Sequence, residues 1–166
     1  MEPATKLLAA EADVIAPDGC EVRILAHTSR GSMAHFTLRP GQVARAVAHR
    51  TVEEVVYCVS GQGRMWRRQG DEETIVQVAP GVSLAIPLGT RFQLRNDGPE
   101  PLAAVAVTMP AWPGDDEAYF VAGKWPAEVA DREGPSGIGR GYMVLVRLAG
   151  SGRCAIATRI SAAAWS

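Results

Sequence analysis

The stretch 47–61, VAHRTVEEVVYCVSG, holds the side chains best suited to chemistry: His49 and two consecutive glutamates, Glu53 and Glu54. An imidazole titrates near neutral pH and can take or give a proton, and a buried carboxylate beside it fixes its tautomer and raises its basicity. The same two groups also bind transition-metal ions, provided that three or more ligands converge. Proton transfer and metal binding are therefore both open to this stretch.

The residues that follow Glu54 have the composition of a β-strand, rich in valine and aromatic side chains. Side chains of a strand alternate between its two faces, so every second residue shares the direction of Glu54. The members of that face are Glu54, Val56 and Cys58. We expect Glu53, Val55 and Tyr57 to point the opposite way.

Short strand patterns separated by Gly and Pro turns continue from residue 22 to residue 110 without a helical period, which is typical of an all-β sandwich or barrel. Residues 1–21 form an N-terminal arm in which 6–12 favour a short helix. Residues 111–166 form a C-terminal extension. Within it, the runs 142–148 and 154–160 flank Gly150-Ser151-Gly152 and predict an added β-hairpin.

Composition narrows the class of protein. The chain has 166 residues and a formal net charge of −1, so no overall field favours nucleic acid or an anionic membrane. No run reaches the ~18 apolar residues that a membrane helix needs. The 3 cysteines lie far apart, which favours a reducing, cytoplasmic setting.

Three neighbouring arginines, Arg64, Arg67 and Arg68, form the densest group of positive charge in the predicted barrel. Together they could bind an anion. Their position beside a turn instead favours a solvated strand-and-turn surface, and this is our expectation.

Two motifs resemble the signatures of the cupin superfamily. The stretch 47–61 is similar to H-x-H-x(3,4)-E-x(6)-G, with His49, Glu54 and Gly61 on the second histidine, the glutamate and the glycine. Residues 81–96, GVSLAIPLGTRFQLRN, are similar to G-x(5)-P-x-G-x(2)-H-x(3)-N. The resemblance implies a cupin double-stranded β-helix, or jelly-roll barrel, over residues 22–110 with N- and C-terminal extensions. It also implies a homodimer.

Cupins hold Fe, Mn, Zn or Ni with three histidines and one glutamate. Val47 stands at the first histidine position and Phe92 at the last, so the resemblance leaves only His49 and Glu54 as ligands. We therefore expect no cofactor. A divalent metal is the alternative, and it needs further ligands from His35, His27 or Gln93.

The remaining predicted site residues line the barrel cavity, where a cupin binds its small-molecule ligand. They are Val47, Val56, Cys58, Phe92, Leu94 and Trp66. Three hypotheses for function follow. His49 and Glu54 act as an acid–base pair in a metal-independent isomerase, epimerase, dehydratase or cyclase; or extra ligands make a metal-dependent oxygenase or isomerase; or the barrel is a non-catalytic binding module.

Overall fold

The computed structural model describes residues 3–129, and every regular element among them is a β-strand. Within that range no helix could cross a membrane. The strands in chain order are β1 Val14–Ile15, β2 Glu21–His27, β3 Ser32–Leu38, β4 Val47–His49, β5 Glu53–Ser60, β6 Gly63–Gln69, β7 Glu72–Val78, β8 Ser83–Ile86, β9 Arg91–Asn96, β10 Leu102–Met109 and β11 Ala118–Phe120.

The strands form two antiparallel sheets. The first has the order β1-β2-β3-β10-β5-β8 and the second has the order β11-β4-β9-β6-β7. Strands that are neighbours in a sheet are mostly distant in sequence, as in β3-β10-β5, because from β3 onward the chain crosses between the sheets after every strand except β6. This is the doubled Greek-key connection of a jelly roll. The predicted all-β jelly-roll barrel is confirmed.

The inner faces of the two sheets form an apolar core. Strand β5 alternates between exposed and buried residues from Glu53 to Cys58, so the predicted inward face of Glu54, Val56 and Cys58 is confirmed. The buried members of the core are Val47, Val56, Cys58, Met65, Val78, Leu84, Ile86, Phe92, Leu102, Ala104 and Ala106.

One end of this barrel carries the loops 50–52, 70–71 and 87–90, which follow β4, β6 and β8. We call this end the barrel mouth. The pairings His49 to Ala118 and Glu54 to Ile86 place the start of β5 and the ends of β4 and β8 at this same end. The residues that could do chemistry therefore meet where the loops join the two sheets.

The N-terminal arm differs from its prediction, because residues 6–12 are not helical. The Arg23 guanidinium donates hydrogen bonds to the carbonyls of Ala9 and Ala10, and the Asp13 amide donates to the Val22 carbonyl at 2.9 Å. These are the backbone groups that a helix would pair internally. Pairing with β2 therefore keeps the arm extended.

The first part of the C-terminal extension joins the second sheet. Strand β11 pairs antiparallel with β4, with Phe120 opposite Val47 and Ala118 opposite His49. The hairpin predicted within 142–160 lies outside the described residues.

Candidate functional site

His49 and Glu54 lie together at the barrel mouth. His49 ends β4 and Glu54 is the second residue of β5, so the loop 50–52 turns the chain between the sheets and brings the two inward side chains face to face. They are 6% and 7% exposed. His49 Nδ1 is 3.6 Å from Glu54 Oε2, which is longer than a hydrogen bond. A small shift of either side chain would bring them into bonding distance.

Two aromatic rings fix the orientation of the imidazole. The centroids of Phe92 and Trp112 both lie 5.2 Å from that of His49, at interplanar angles of 74° and 83°. Edge-to-face packing of this kind is favourable and directional. Trp112 is itself anchored, because its backbone amide donates to Ser32 Oγ at 2.9 Å. The histidine is thus held between a strand of the barrel and the segment after β10.

A buried carboxylate outside both motifs holds the loop between His49 and Glu54. Glu117 accepts hydrogen bonds from the Thr51 amide at 2.6 Å, the Thr51 hydroxyl at 2.8 Å and the Val52 amide at 2.9 Å. Burial raises the pKa of Glu117, but these hydrogen bonds outweigh that effect and the net pKa is lowered. Glu117 is therefore ionised, and its hydrogen bonds hold the loop 50–52 in place. Sequence reasoning missed it, since 63 residues separate it from Glu54.

The two central groups are both uncharged near neutral pH. Burial lowers the pKa of His49 to about 4, against the raising influence of the Glu117 charge. Burial, with the nearby charge of Asp18, raises the pKa of Glu54 to about 8. The expectation that Glu54 would raise the basicity of His49 is wrong, because desolvation dominates for both groups. Between those values Glu54 is a carboxylic acid and His49 a neutral base.

The donor set at the mouth does not fit a metal ion of the kind that cupins hold. Val47 and Phe92 fill two ligand positions, and residues 3–129 contain no group of three or more His, Cys, Asp or Glu side chains that could hold one. Among described residues, His49 and Glu54 thus supply two ligands where at least three are needed.

The three suggested extra ligands lie elsewhere, so these suggestions are wrong. His35 neighbours Ala34, whose side chain is in the barrel, and by strand alternation it faces outward beside Val105. His27 is exposed at the end of β2. Gln93 faces outward and has a fully bonded amide: it donates to the carbonyls of Ala44 and Trp125 and accepts from the amides of Lys124 and Trp125.

Five of the six predicted lining residues lie in the barrel interior. Val47, Val56, Cys58 and Phe92 belong to the buried core, and Leu94 packs against it. The Cys58 thiol donates to the Ser60 carbonyl at 3.5 Å, and burial raises its pKa, so it is a thiol rather than a nucleophilic thiolate.

The prediction that Trp66 lines the barrel cavity is wrong. Its neighbour Met65 points into the core, so Trp66 points to the outer face of the second sheet, where it pairs in register with Gln93 and Ile75. Trp66 is buried because another part of the chain covers this outer face, and not because it lines the barrel.

Comparison with known proteins identifies the barrel. A family model described as "Cupin domain" matches residues 34–108. An uncharacterized conserved protein with a double-stranded beta-helix domain from Klebsiella pneumoniae superposes with a TM-score of 0.53 at 18% identity, covering 65% of this chain and 89% of that one. No curated protein sequence matches the chain.

Two larger proteins contain a similar barrel. The capsular polysaccharide assembling protein CapF from Staphylococcus aureus gives a TM-score of 0.56 at 22% identity, over 64% of this chain and 33% of CapF. Bacillus subtilis oxalate decarboxylase, which has Mn(II) centres, gives a TM-score of 0.55 at 23% identity, over 62% of this chain and 29% of the decarboxylase. The match spans about a third of each larger chain, and at these identities the likeness concerns the fold alone.

Proposed function

Because residues 34–108 form a cupin domain, we propose that this chain binds a small molecule at the barrel mouth and transfers protons on it with His49 and Glu54. The reaction class is an isomerisation, epimerisation, dehydration or cyclisation. One observation supports the proposal above all: a neutral acid and a neutral base stand 3.6 Å apart in a nearly buried site. Pairs of titratable groups whose environments push their pKa values apart are typical of acid–base catalysts.

The geometry indicates which atom of His49 acts as the base and which residue acts as the acid. Nδ1 of His49 faces Glu54, so Nε2 is the nitrogen left for the substrate. Nε2 takes a proton from a carbon of the substrate, and the carboxylic acid of Glu54 gives its proton to a carbonyl or leaving hydroxyl oxygen. The products of this step are an imidazolium and a carboxylate. In an isomerisation or epimerisation the second half-reaction reverses both transfers at different atoms of the substrate. After a dehydration, in which the Glu54 proton leaves with water, the imidazolium proton passes to the Glu54 carboxylate. Both routes restore the starting pair.

Charge balance favours this division in a buried site. Each transfer changes the charge of one group, yet the pair as a whole stays neutral, since His49 gains a proton when Glu54 loses one. A lone buried charge is strongly disfavoured, whereas an imidazolium next to a carboxylate is partly compensated. Phe92 and Trp112 keep the imidazole ring in place during both transfers.

The test is hydrogen–deuterium exchange at carbon. The full chain is incubated in D₂O with a panel of small hydroxy, keto and sugar acids and their neutral analogues, and loss of C–H signals is followed by proton NMR. We expect exchange with at least one compound, undiminished by a chelator, and abolished in Glu54→Gln. Glu53→Gln is the matched control, because Glu53 is the outward-facing neighbour.

Two outcomes would reject the proposal. Exchange that a chelator abolishes would indicate a metal-dependent reaction. Ligand binding without exchange, retained in His49→Gln, would indicate a non-catalytic binding module.

The proposal also includes a partner and a compartment. The outer face of β5 exposes Val55, Tyr57 and Val59, and we propose that a second copy of the chain covers it in a homodimer. A reducing, cytoplasmic setting fits the free, buried Cys20 and Cys58. Light scattering of the wild type and of Tyr57→Glu tests the dimer: a wild-type mass of one chain would contradict it.

A further inference from the structure

Unpartnered polar atoms cluster at the barrel mouth. Among the described residues, five buried side-chain atoms have no hydrogen-bond partner, and three of them belong to His49, Arg67 and Thr90. The other two, on His35 and Trp66, lie on the outer faces of the sheets. A buried polar atom without a partner is unfavourable and rare. His49 Nδ1 faces Glu54, so the atoms of Arg67 and Thr90 are the two that need an explanation.

Strand register brings the three residues together. Val47 pairs with Phe92 between β4 and β9, and continuing this antiparallel register by two residues sets His49 opposite Thr90. On the other side of β9, Arg67 of β6 pairs with Phe92. Thr90 has the same parity as Phe92, so both face the barrel interior, and Thr90 is only 3% exposed.

Arg67 is the inward member of the arginine trio. Met65 lies in the core, so alternation directs Arg67 inward, whereas Arg64 and Arg68 face outward. The expectation of a solvated surface is therefore wrong for Arg67, which is half-buried. Its Nη1 donates to the Ala85 carbonyl on the facing sheet at 2.8 Å, while Nε is buried and unpartnered. That single bond holds the guanidinium in place and leaves its Nε–Nη2 edge unbonded within residues 3–129.

We infer that Arg67 and Thr90 bind the carboxylate of the substrate, and that the proposed proton transfer acts on small monocarboxylic acids. This inference rests on the proposed function, which it narrows to one substrate class. The Nε–Nη2 edge offers two parallel N–H groups that match the two oxygens of a carboxylate, and the Thr90 hydroxyl offers a third donor. The carbon next to that carboxylate would then lie beside His49.

Local charge favours a monoanion over a phosphate. Arg67 brings one positive charge to the inside of the mouth. Arg50, in loop 50–52, is exposed and donates to the Asp116 carbonyl instead. The ionised Glu117 lies close enough to influence His49. A phosphate dianion would need a second cation to offset its charge, whereas a carboxylate is balanced by Arg67 alone. Inorganic phosphate is therefore the probe that separates the two kinds of anion.

The test measures binding rather than turnover. The ¹⁵N-labelled full chain is titrated with pyruvate, lactate and benzoate, with methyl pyruvate as a neutral counterpart and with inorganic phosphate. We expect saturable shifts with at least one carboxylate, little response to methyl pyruvate, and a carboxylate affinity about ten-fold or more weaker in Arg67→Gln. Arg68→Gln is the matched control and should bind as the wild type does.

Thr90→Val supplies a second, independent variant. It keeps the shape of the side chain and removes a hydroxyl that has no partner, so it should fold normally and bind the same carboxylate several-fold more weakly. Equal binding of ester and acid, unchanged affinity in both Arg67→Gln and Thr90→Val, tighter binding of phosphate at the same resonances, or no binding of any carboxylate would each overturn the inference.

The two proposals fail in different ways. Carboxylate binding through Arg67 without deuterium exchange would keep the carboxylate site and reject the proton transfer. Exchange on neutral compounds only, unaffected by Arg67→Gln, would keep the proton transfer and reject the carboxylate.

Discussion

Strand β9 carries two kinds of buried polar side chain, one at each end. At its C-terminal end, the Asn96 amide donates to the carbonyls of Leu38 and Glu100 at 2.9 and 2.8 Å and accepts from the Gly98 amide at 2.9 Å. Just before its N-terminal end, Thr90 has a buried hydroxyl without a partner in the described chain. The amide ties three segments together, whereas the hydroxyl contributes nothing visible to folding.

This difference teaches how to separate structure from function within one barrel. A buried polar group whose bonds are all made within the chain stabilises the fold, and removing it leaves its partners unsatisfied. A buried polar group without such bonds reduces stability, and where it lies at the barrel mouth we expect it to bind a ligand. The predictions below test this division from its largest consequence to its smallest.

The largest effect is expected on activity at the mouth. In the proposed exchange reaction, Glu54→Gln removes the transferable proton but keeps the size of the side chain. We expect the exchange rate to fall by about 10²–10⁴-fold, the usual contribution of a positioned acid or base. The free energy of unfolding at pH 7 should be unchanged or higher, since a neutral amide replaces an ionisable buried group. A matching loss of activity in Glu53→Gln would contradict the prediction.

The next effect is on stability at the opposite end of β9. Asn96→Ala leaves two carbonyls and one amide without their partner, and we expect it to lower the free energy of unfolding by about 3 kcal/mol. Urea denaturation followed by tryptophan fluorescence measures it. Gln77→Ala, on the exposed face of β7, serves as the control and should change stability little. Equal effects of the two variants would contradict the structural role of Asn96.

The third effect is a pH dependence of stability. Between pH 4.5 and 6.5, His49 carries a proton only in the unfolded chain and Glu54 carries one only in the folded chain. Both states therefore bind one proton, and the effects of the two groups on the pH dependence of stability cancel. Between pH 6.5 and about 8, Glu54 still carries its proton in the folded chain, whereas neither His49 nor Glu54 carries one in the unfolded chain. Stability should therefore fall as the pH rises through this window, by about 2 kcal/mol in all.

Unfolding of the wild type and of Glu54→Gln at a series of pH values isolates this contribution. The difference in stability between the two proteins should grow from pH 6.5 to pH 8. A constant difference would show that Glu54 titrates with an ordinary pKa in the folded protein.

The smallest effect compares two buried threonines. Thr108 Oγ1 lies 2.7 Å from Ser32 Oγ, and Ser32 in turn accepts from the Trp112 amide, so Thr108→Val should lower stability by about 1–2 kcal/mol. Thr90→Val loses no bond and should stay within about 0.5 kcal/mol of the wild type or exceed it. Differential scanning calorimetry is sensitive enough to separate them. The reverse order would remove the distinction between the two kinds of polar group.

A feature of the fold or of the site could be predicted from the sequence when it depends on local chain geometry. The two-residue period of strands correctly predicted that Glu54, Val56 and Cys58 share the inner face, because alternation follows from backbone geometry alone. The motif spacing correctly brought His49 and Glu54 together across a three-residue loop.

Features that depend on distant segments could not be predicted. Gln93 and Trp66 are buried on the outer face, where Gln93 bonds to Lys124 and Trp125, and nothing in the strand pattern indicates that a later segment covers this face. Glu117 reaches the site from the segment after β10. The arm near Ala9 has helix-forming residues, but pairing with β2 overrides that local preference.

The register between β4 and β9 also has a meaning for protein engineering. Val47 and Phe92 lie directly opposite each other, point into the barrel, and occupy the two positions where the cupin signatures have histidine. Two substitutions, Val47→His and Phe92→His, would thus complete a four-ligand set with His49 and Glu54 without changing the backbone. The barrel therefore differs from the donor set of the cupin signatures at two positions, and both hold apolar side chains that face its interior.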